Sequence, residues 1–414
     1  MNLLLVDAVD FPFGGAHSVH VSLLMQGLRE NNENAFLIIP YGRKKEMLSS
    51  NKKKYGHFDG IPYYFVKDSK DIKKGLRFFD NLFAVIKTAC LIRSRWKNKK
   101  LDAVVLGGIV DIIRDAPIIL TCALFRIPIY FWLVEKASLN EDFQGLAGAF
   151  NFRSQKLSER FLPKFARGLI VISTGLKKHY LKYLPESRIL INPIIVSEEI
   201  YKGMDKQAFE MAKEKLAAEY KDKRLLVYSG SFAEKDGLFY LIEAFAETVK
   251  KHPDTVLIMT GKSANVALMD KVRNDIKKYN VEDKVKMVGF VTAAELLCYN
   301  TMASVLFVCR SNSPFANNGF PWKLGEYCMT AKPIIATSVG DIEKYFADND
   351  TLFIVAPNNP VAIAKKIDYI FGNYEHALEV AKKGREKALY EFGYLKKTKE
   401  LAAFIKENQK TAKA

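Results

Sequence analysis

Short apolar runs alternate with helical stripes along the chain. Leu3 to Val6 predicts a strand, a Gly-rich turn follows at Gly14-Gly15, and a helix covers roughly Ser18 to Glu30. Further apolar runs at Ala35 to Pro40, Ala103 to Leu106, Ile129 to Val134 and Leu169 to Ile172 predict more strands. The rhythm begins again near Leu225. Strands are expected over Leu225 to Ser229, Val256 to Met259, Val285 to Val288, Ser304 to Val308, Pro333 to Thr337 and Leu352 to Val355, with a helix at Leu238 to His252. Strands that alternate with helices predict a parallel sheet covered on both faces. The rhythm occurs twice, and the two sets are separated by Pro185 to Met204, where periodicity fades. At 414 residues, two Rossmann-like α/β domains are the economical expectation. Ligands of such sheets bind at the carboxyl ends of the strands, so the active site is expected in the cleft between the domains.

Composition narrows the function classes. Apolar residues make up 49% and charged residues 26%, enough for two buried cores and far from disorder. The longest apolar stretch, Ala116 to Val134, is interrupted by Arg126 and Pro128, which predicts helix, turn and strand in place of a membrane span. The five cysteines, Cys90, Cys122, Cys298, Cys309 and Cys328, are scattered in apolar segments without a CxxC pair. Reduced, buried thiols in a cytoplasmic protein are expected, and neither a disulfide framework nor a zinc site. His17 and His20 share helical spacing beside the glycine turn, but no further metal ligand is signalled; His17 is a candidate for the cleft and His20 for packing.

The net charge of +17 is unevenly spread: between Arg43 and Lys100 there are 17 Lys/Arg against 5 Asp/Glu. Such a patch attracts nucleic acid, anionic lipid or a phosphorylated ligand. Within it, Leu76, Phe79, Phe83, Ile86 and Cys90 form one helical stripe, and Phe78, Leu82, Val85 and Ile92 another. With Arg93, Arg95, Lys97, Lys99 and Lys100 at its end, this helix is read either as a membrane-surface element or as a core helix with a solvated basic terminus. Interleaved aromatic stacking positions and nucleic-acid motifs are lacking, so no nucleic-acid partner is expected.

Chemistry concentrates in Asn317-Asn-Gly-Phe-Pro-Trp-Lys-Leu-Gly-Glu-Tyr-Cys-Met-Thr-Ala-Lys-Pro-Ile-Ile-Ala-Thr-Ser-Val-Gly340. A loop enters a helix that carries Glu326, and the chain then turns into a strand. A carboxylate there can accept two hydrogen bonds from a ribose diol, and the helix start can hold phosphate. This passage resembles the donor-binding signature of GT-B glycosyltransferases, closest to retaining family 4, the glycosyl transferases of group 1. That signature has two glutamates eight positions apart; here the second is Glu326, and Asn318 holds the place of the first. Val171-Ile-Ser-Thr-Gly-Leu-Lys177, Leu190-Ile-Asn-Pro-Ile-Ile-Val196 and Tyr228-Ser-Gly-Ser-Phe-Ala-Glu-Lys-Asp-Gly237 match further family segments in the right order.

The resemblance implies an α/β, GT-B protein. Residues 1–196 would form an acceptor domain, residues 197–391 a donor domain, and 392–412 a helical segment crossing back to the first. It implies transfer of a sugar from a UDP- or GDP-sugar to a glycan or lipid-linked acceptor, with retention, the leaving phosphate itself taking the acceptor's proton. No metal or cofactor is implied, since the nucleotide-sugar is a substrate. Gly14, Gly15, Lys235, Arg310, Gly319, Phe320, Leu324 and Glu326 are the implied donor-binding residues. Lys323, Asn318 and Glu135, at the end of the strand from Ile129, are the implied catalytic ones, although Glu135 reads equally as a cap for the next segment. Assembly of surface polysaccharide or glycoconjugate in the cytoplasm, with or without docking on the inner membrane face, is the implied setting.

Two departures stand out. The family's phosphate loop carries Arg after its first glycine and Lys before its second, whereas this chain has Ser231 and Asp236. A diphosphate needs compensating charge, for which Lys323, Lys235 and Arg310 are the candidates. The departures keep open a non-catalytic GT-B-like protein that binds membrane or polyanion through residues 43–100, and a sugar-nucleotide 2-epimerase ranks below it.

Overall fold

A computed structural model describes residues 1–12, 15–41, 54–67, 77–108, 110–139, 145–199, 205–261, 263 and 265–410. Gly14, the basic run Arg43 to Lys53 and Leu76 lie outside the described residues. The chain divides into two units, Met1–Ile195 with Phe392 onward, and Val196–Glu391.

Unit 1 is built on an eight-stranded sheet: β1 (Asn2–Val6), β2 (Asn34–Ile39), β3 (Tyr55–Phe58), β4 (Ile61–Phe65), β5 (Ala103–Leu106), β6 (Ile129–Leu133), β7 (Gly168–Val171) and β8 (Ile189–Ile191). Their order is β3-β4-β2-β1-β5-β6-β7-β8, parallel except for β3 against β4. Every strand read from the apolar runs is present within a residue or so of its expected ends. Leu3, Leu4, Leu5 and Val6 are all buried, as are Ala103 to Leu106, because helices cover both faces of a parallel sheet and leave no polar side. The expected turn at Arg126 is also found: the helix Ala116–Leu124 ends there, Arg126 takes a φ of 53°, and β6 begins at Ile129.

The β3–β4 hairpin was not read from the pattern, since it lies within the basic stretch. Its signal was present: Asp59 and Gly60 have φ of 48° and 76°, the left-handed pair that an Asp-Gly two-residue hairpin turn requires.

Unit 2 carries a six-stranded, wholly parallel sheet. It comprises β9 (Arg224–Ser229), β10 (Thr255–Thr260), β11 (Val285–Gly289), β12 (Val305–Val308), β13 (Ile334–Thr337) and β14 (Phe353–Val355), in the order β11-β10-β9-β12-β13-β14. Its core joins Leu226, Tyr228, Leu257, Met259, Val305 and Phe307 of the sheet to Leu241, Ile242 and Phe245 of the helix Leu238–Lys251. In both sheets the strand order reverses beside the first strand, between β1 and β5 in unit 1 and between β9 and β12 in unit 2. At such a point the two connecting helices leave in opposite directions and open a crevice at the strands' carboxyl ends.

The helix Tyr394–Lys410 belongs to unit 1, so the chain returns to its first sheet. It packs on the helix Ala16–Glu30. Asn31 donates to Leu395 O at 2.9 Å and to Thr398 Oγ1 at 2.8 Å, and Tyr130 OH donates to Ile405 O at 3.1 Å. Gly27 allows the close approach, because a Cβ there would come within 2.6 Å of Thr398 Oγ1.

Cys122, Cys298, Cys309 and Cys328 are buried, but Cys90 is exposed, contrary to the expectation for all five. It lies on the outward stripe of the helix Arg77–Lys97 with Phe79 (68% exposed), Phe83 (64%) and Ile86. Val85 and Ile92, from the second stripe, face the core.

Gly27→Val should therefore destabilise unit 1 by about 1–3 kcal/mol, the usual cost of overpacking a tight contact. Urea unfolding followed by circular dichroism measures it, and an unchanged midpoint would contradict the packing described for the returning helix.

Candidate functional site

The crevice of unit 2 collects the charged residues at the ends of β9 and β12. After β9 the chain runs through Gly230 and Ser231 into a short 3-10 turn, Glu234–Asp236, which ends at Gly237. Gly237 has a φ of 64°, and a Cβ there would meet Cys309 O at 2.0 Å, so this loop lies directly on the end of β12. Only glycine leaves room for that backbone contact. Lys235 and Asp236 are thereby carried to the strand end where Arg310 emerges.

Asp236 is buried, and its Oδ2 accepts from Ser231 Oγ at 3.0 Å and from Ala233 N at 3.2 Å. The Lys323 ammonium stands 3.8 Å from Asp236 Oδ1 and 4.1 Å above the Tyr228 ring. Burial opposes ionisation of Asp236, but Lys323, then Lys235 and Arg310, outweigh it and hold the carboxyl below its ordinary value. Lys323 is pulled down chiefly by burial, against the support of Asp236, with Arg310 and Lys235 adding repulsion. Three cations thus face one carboxylate, an imbalance that a bound dianion would relieve. Sequence comparison shows Asp236 only as a lost positive charge; in the fold it is the counter-ion of Lys323.

Arg310 is buried, its carbonyl accepts from Thr337 Oγ1 at 2.8 Å, and its guanidinium lies against Gly319, where a Cβ would approach Nη2 to 3.0 Å. The Lys235 ammonium lies 4.4 Å over the Phe315 ring. Asn318 closes the short helix Pro314–Asn317 and donates from Nδ2 to Pro314 O at 2.8 Å. Phe320 and Leu324 are buried, Phe320 edge-on to Tyr345 at 5.7 Å. Both support the loop from beneath and present almost no side-chain surface.

Glu326 lies in the first turn of the helix Lys323–Met329 and is half-buried. Desolvation by the surrounding protein raises its carboxyl to about 7, with Lys323 pulling the other way. The helix is only two turns long, so the cationic side chains supply most of the positive potential.

In unit 1, Gly15 is the N-cap of the helix Ala16–Glu30, and a Cβ there would meet nothing within 4 Å. The position is open, and packing does not demand a glycine. Glu135 is half-buried in the bend after β6. His20 is buried with its ring 4.7 Å from Trp132, and burial, helped by the nearby His17, takes it to about 3; it is packing, as read. His17 pairs through Nε2 with Asp7 Oδ2 at 3.1 Å. Asp7 was missed from the sequence, where the signal was an acidic residue directly after a buried strand.

The Glu326 carboxyl fixes a sign for stability against pH. The folded chain holds this proton more tightly than the unfolded chain, so its ionisation costs stability as pH rises from the ordinary carboxylate range to about 7. Glu326→Gln removes that cost. Its stability relative to the native chain should be greater at pH 8 than at pH 5 by about 1–3 kcal/mol, read from paired thermal melts. Equal differences at both pH values would mean that the carboxyl is not desolvated.

Residues 210–387, within unit 2, match the family described as Glycosyl transferases group 1. Among curated proteins, the Bacillus subtilis protein named "Putative glycosyltransferase YtcC" is 23% identical over 304 residues, covering 66% of this chain and 70% of its own length. Spore coat protein SA of the same organism is 21% identical over 231 residues, 51% of this chain and 59% of its own. Among solved structures, Anabaena Alr3699/HepE in complex with UDP and glucose aligns with a TM-score of 0.72 at 14% identity, over 98% of this chain and 99% of that one. Sucrose-phosphate synthase from Thermosynechococcus elongatus aligns with a TM-score of 0.71 at 16% identity over the whole of both chains. The chain has the GT-B fold and is a glycosyltransferase, and its residues 210–387 match the glycosyl transferases of group 1.

Proposed function

We propose that the chain transfers a sugar from a nucleotide-sugar, a UDP-sugar before a GDP-sugar, to a hydroxyl of a glycan or lipid-linked acceptor, with retention. Unit 2 holds the donor. Glu326 accepts hydrogen bonds from the ribose diol, and Lys323, with Lys235 and Arg310, neutralises the diphosphate. As the bond to the sugar breaks, negative charge grows on the leaving phosphate, and a fixed, poorly solvated cation stabilises it more than water would. Asn318 and Gly319 would supply the loop beside the sugar. No metal enters this scheme.

The observation that carries the reading is the excess of three cations over Asp236 at the β9–β12 crevice, one turn from the desolvated Glu326. The UDP and UDP-glucose complexes of Anabaena HepE support UDP as the carrier. A role in surface polysaccharide or glycoconjugate assembly belongs to the same proposal, as does a cytoplasmic position.

The acceptor unit offers support for work at a lipid surface. Phe79, Leu82, Phe83 and Ile86 of the helix Arg77–Lys97 point outward. The adjacent helix Ala116–Leu124 exposes Leu120 and Leu124. Arg93, Lys97, Lys99 and Lys100 follow at the first helix's exposed end. Largely exposed apolar side chains next to clustered cations suit anionic headgroups over acyl chains. Among the described residues, no helix is long and apolar enough to cross a membrane.

UDP should raise the melting temperature of the native chain by mass action. Lys323→Ala should weaken UDP binding about 10–100-fold, as expected for loss of a charged hydrogen bond, by calorimetric titration. UDP affinity should also drop as pH falls below about 7, where Glu326 takes up its proton. Full turnover of every donor by Glu326→Ala would refute the assignment. Sedimentation with vesicles containing phosphatidylglycerol should pull down the native chain but not a Phe79→Ser, Phe83→Ser variant; equal sedimentation of both would remove the lipid-surface role.

A further inference from the structure

A cavity of unit 1 lies at the opposite end of its sheet from the crevice, where β1, β2 and β4 begin. Its volume is about 310 Å³, and Phe36, Ile61, Pro62 and Leu101 give it an apolar floor. That size is at the small end of the range for sites that take small molecules. Ligands of open parallel sheets gather at the carboxyl ends of the strands, so sugar transfer leaves a cavity at the amino ends unused.

Cations dominate its walls. Arg29, Arg95 and Lys100 line it, and Glu33 is the one carboxylate among the described residues that do so. Glu33 is buried and already committed, pairing with the Met1 α-amino group at 2.9 Å and with the Lys406 ammonium. The three cations are therefore left without an acid of their own in the cavity.

The fold holds the two arginines in place. Arg29, in the last turn of the helix Ala16–Glu30, donates from Nη1 to Asp59 O at 2.9 Å. It lies so close on the β3–β4 turn that a Cβ at Gly60 would come within 1.3 Å of Nη1. Arg95 is half-buried near the end of the helix Arg77–Lys97, with its guanidinium 4.0 Å above the Phe36 ring. Burial pulls that guanidinium below its ordinary value, and among the described residues no carboxylate acts against it. Stacking on a ring uses one face of a guanidinium and leaves its in-plane N–H edge for an oxyanion, a phosphate taking two such bonds at once.

We infer that this cavity binds a small, soluble phosphate monoester with an aromatic or apolar body. Arg95 and Lys100 hold the phosphate, Arg29 adds a third charge fixed by the hairpin, and the body rests on the floor around Phe36 and Ile61. The charges call for an anion, and the floor calls for a body that carries none. Three strand ends and a turn bound the hollow, so it suits a discrete molecule and not the face of a bilayer. Every group in the site belongs to unit 1, and the inference is independent of the donor assignment in unit 2.

Phenyl phosphate, titrated calorimetrically into the full native chain, is the probe. It should bind one to one and about tenfold or more tighter than inorganic phosphate or phenol, since it alone meets both the cations and the floor. Arg95→Met, which keeps an apolar stem over Phe36, should weaken it by about tenfold or more, the loss of a charged hydrogen bond. Lys100→Met, at an exposed position where folding is not at stake, should weaken it as well, and Lys323→Ala should leave it unchanged. No binding of phenyl phosphate, or native affinity in both the Arg95 and the Lys100 variant, overturns the inference. Equal affinity for inorganic phosphate or for phenol overturns the ligand class, and a loss in Lys323→Ala moves the ligand to unit 2 and overturns the site. Sedimentation with phosphatidic acid vesicles that needs Arg95, in a chain that ignores phenyl phosphate, makes the occupant a lipid and overturns the soluble ligand. A native chain that binds phenyl phosphate in this way but no UDP leaves this inference standing and defeats the donor assignment alone.

Discussion

A parallel sheet whose strand order reverses beside its first strand cannot be covered by helices at that point, and this chain has two such places. The helices that follow adjacent strands leave in opposite directions, so the carboxyl ends of β1 and β5, and of β9 and β12, stay uncovered. Short loops there bring together side chains far apart in sequence. Asp7 meets Gly107 and Gly108 in one unit, and Asp236 meets Arg310 and Lys323 in the other. The apolar strands beneath, buried on both sides, make these edges rigid.

Electrostatics then sets the character of one crevice. In unit 2, desolvation lowers Lys323, raises Glu326 and would neutralise Asp236 were three cations not nearby. A cluster of this kind is stable without ligand because Asp236 offsets part of the positive charge, and it is receptive to a diphosphate because the offset is incomplete. The family's phosphate loop places its cations on the loop itself. Here a cation stands on the facing helix as Lys323, and an acid on the loop holds it in place.

The outward face of the helix Arg77–Lys97 obeys a different constraint. Val85 and Ile92 bury one stripe in unit 1, yet Phe79, Phe83 and Ile86 are left to the outside. Exposed large apolar side chains lower solubility unless another surface meets them, and the basic residues that follow favour an anionic one.

Local pattern determined most of the architecture. The apolar runs specified the strands because a buried parallel strand needs an unbroken apolar segment, and the helical stripes and turn residues punctuated them. Glu326, Lys323 and the loop from Asn317 were legible because one continuous segment carries them. The β3–β4 hairpin escaped because a basic stretch masked its Asp-Gly turn. Tertiary structure alone decided which charges meet. Asp236 reads in sequence as a missing cation and in space as the partner of Lys323, 87 positions away; Asp7 reads as a strand end and in space faces a glycine pair about a hundred positions on. Phe320 and Leu324, implied by the resemblance as donor contacts, have buried side chains. Periodicity reports what a side chain needs from its own element, whereas the partner of a buried charge is set by strand order, a long-range property that local pattern does not encode.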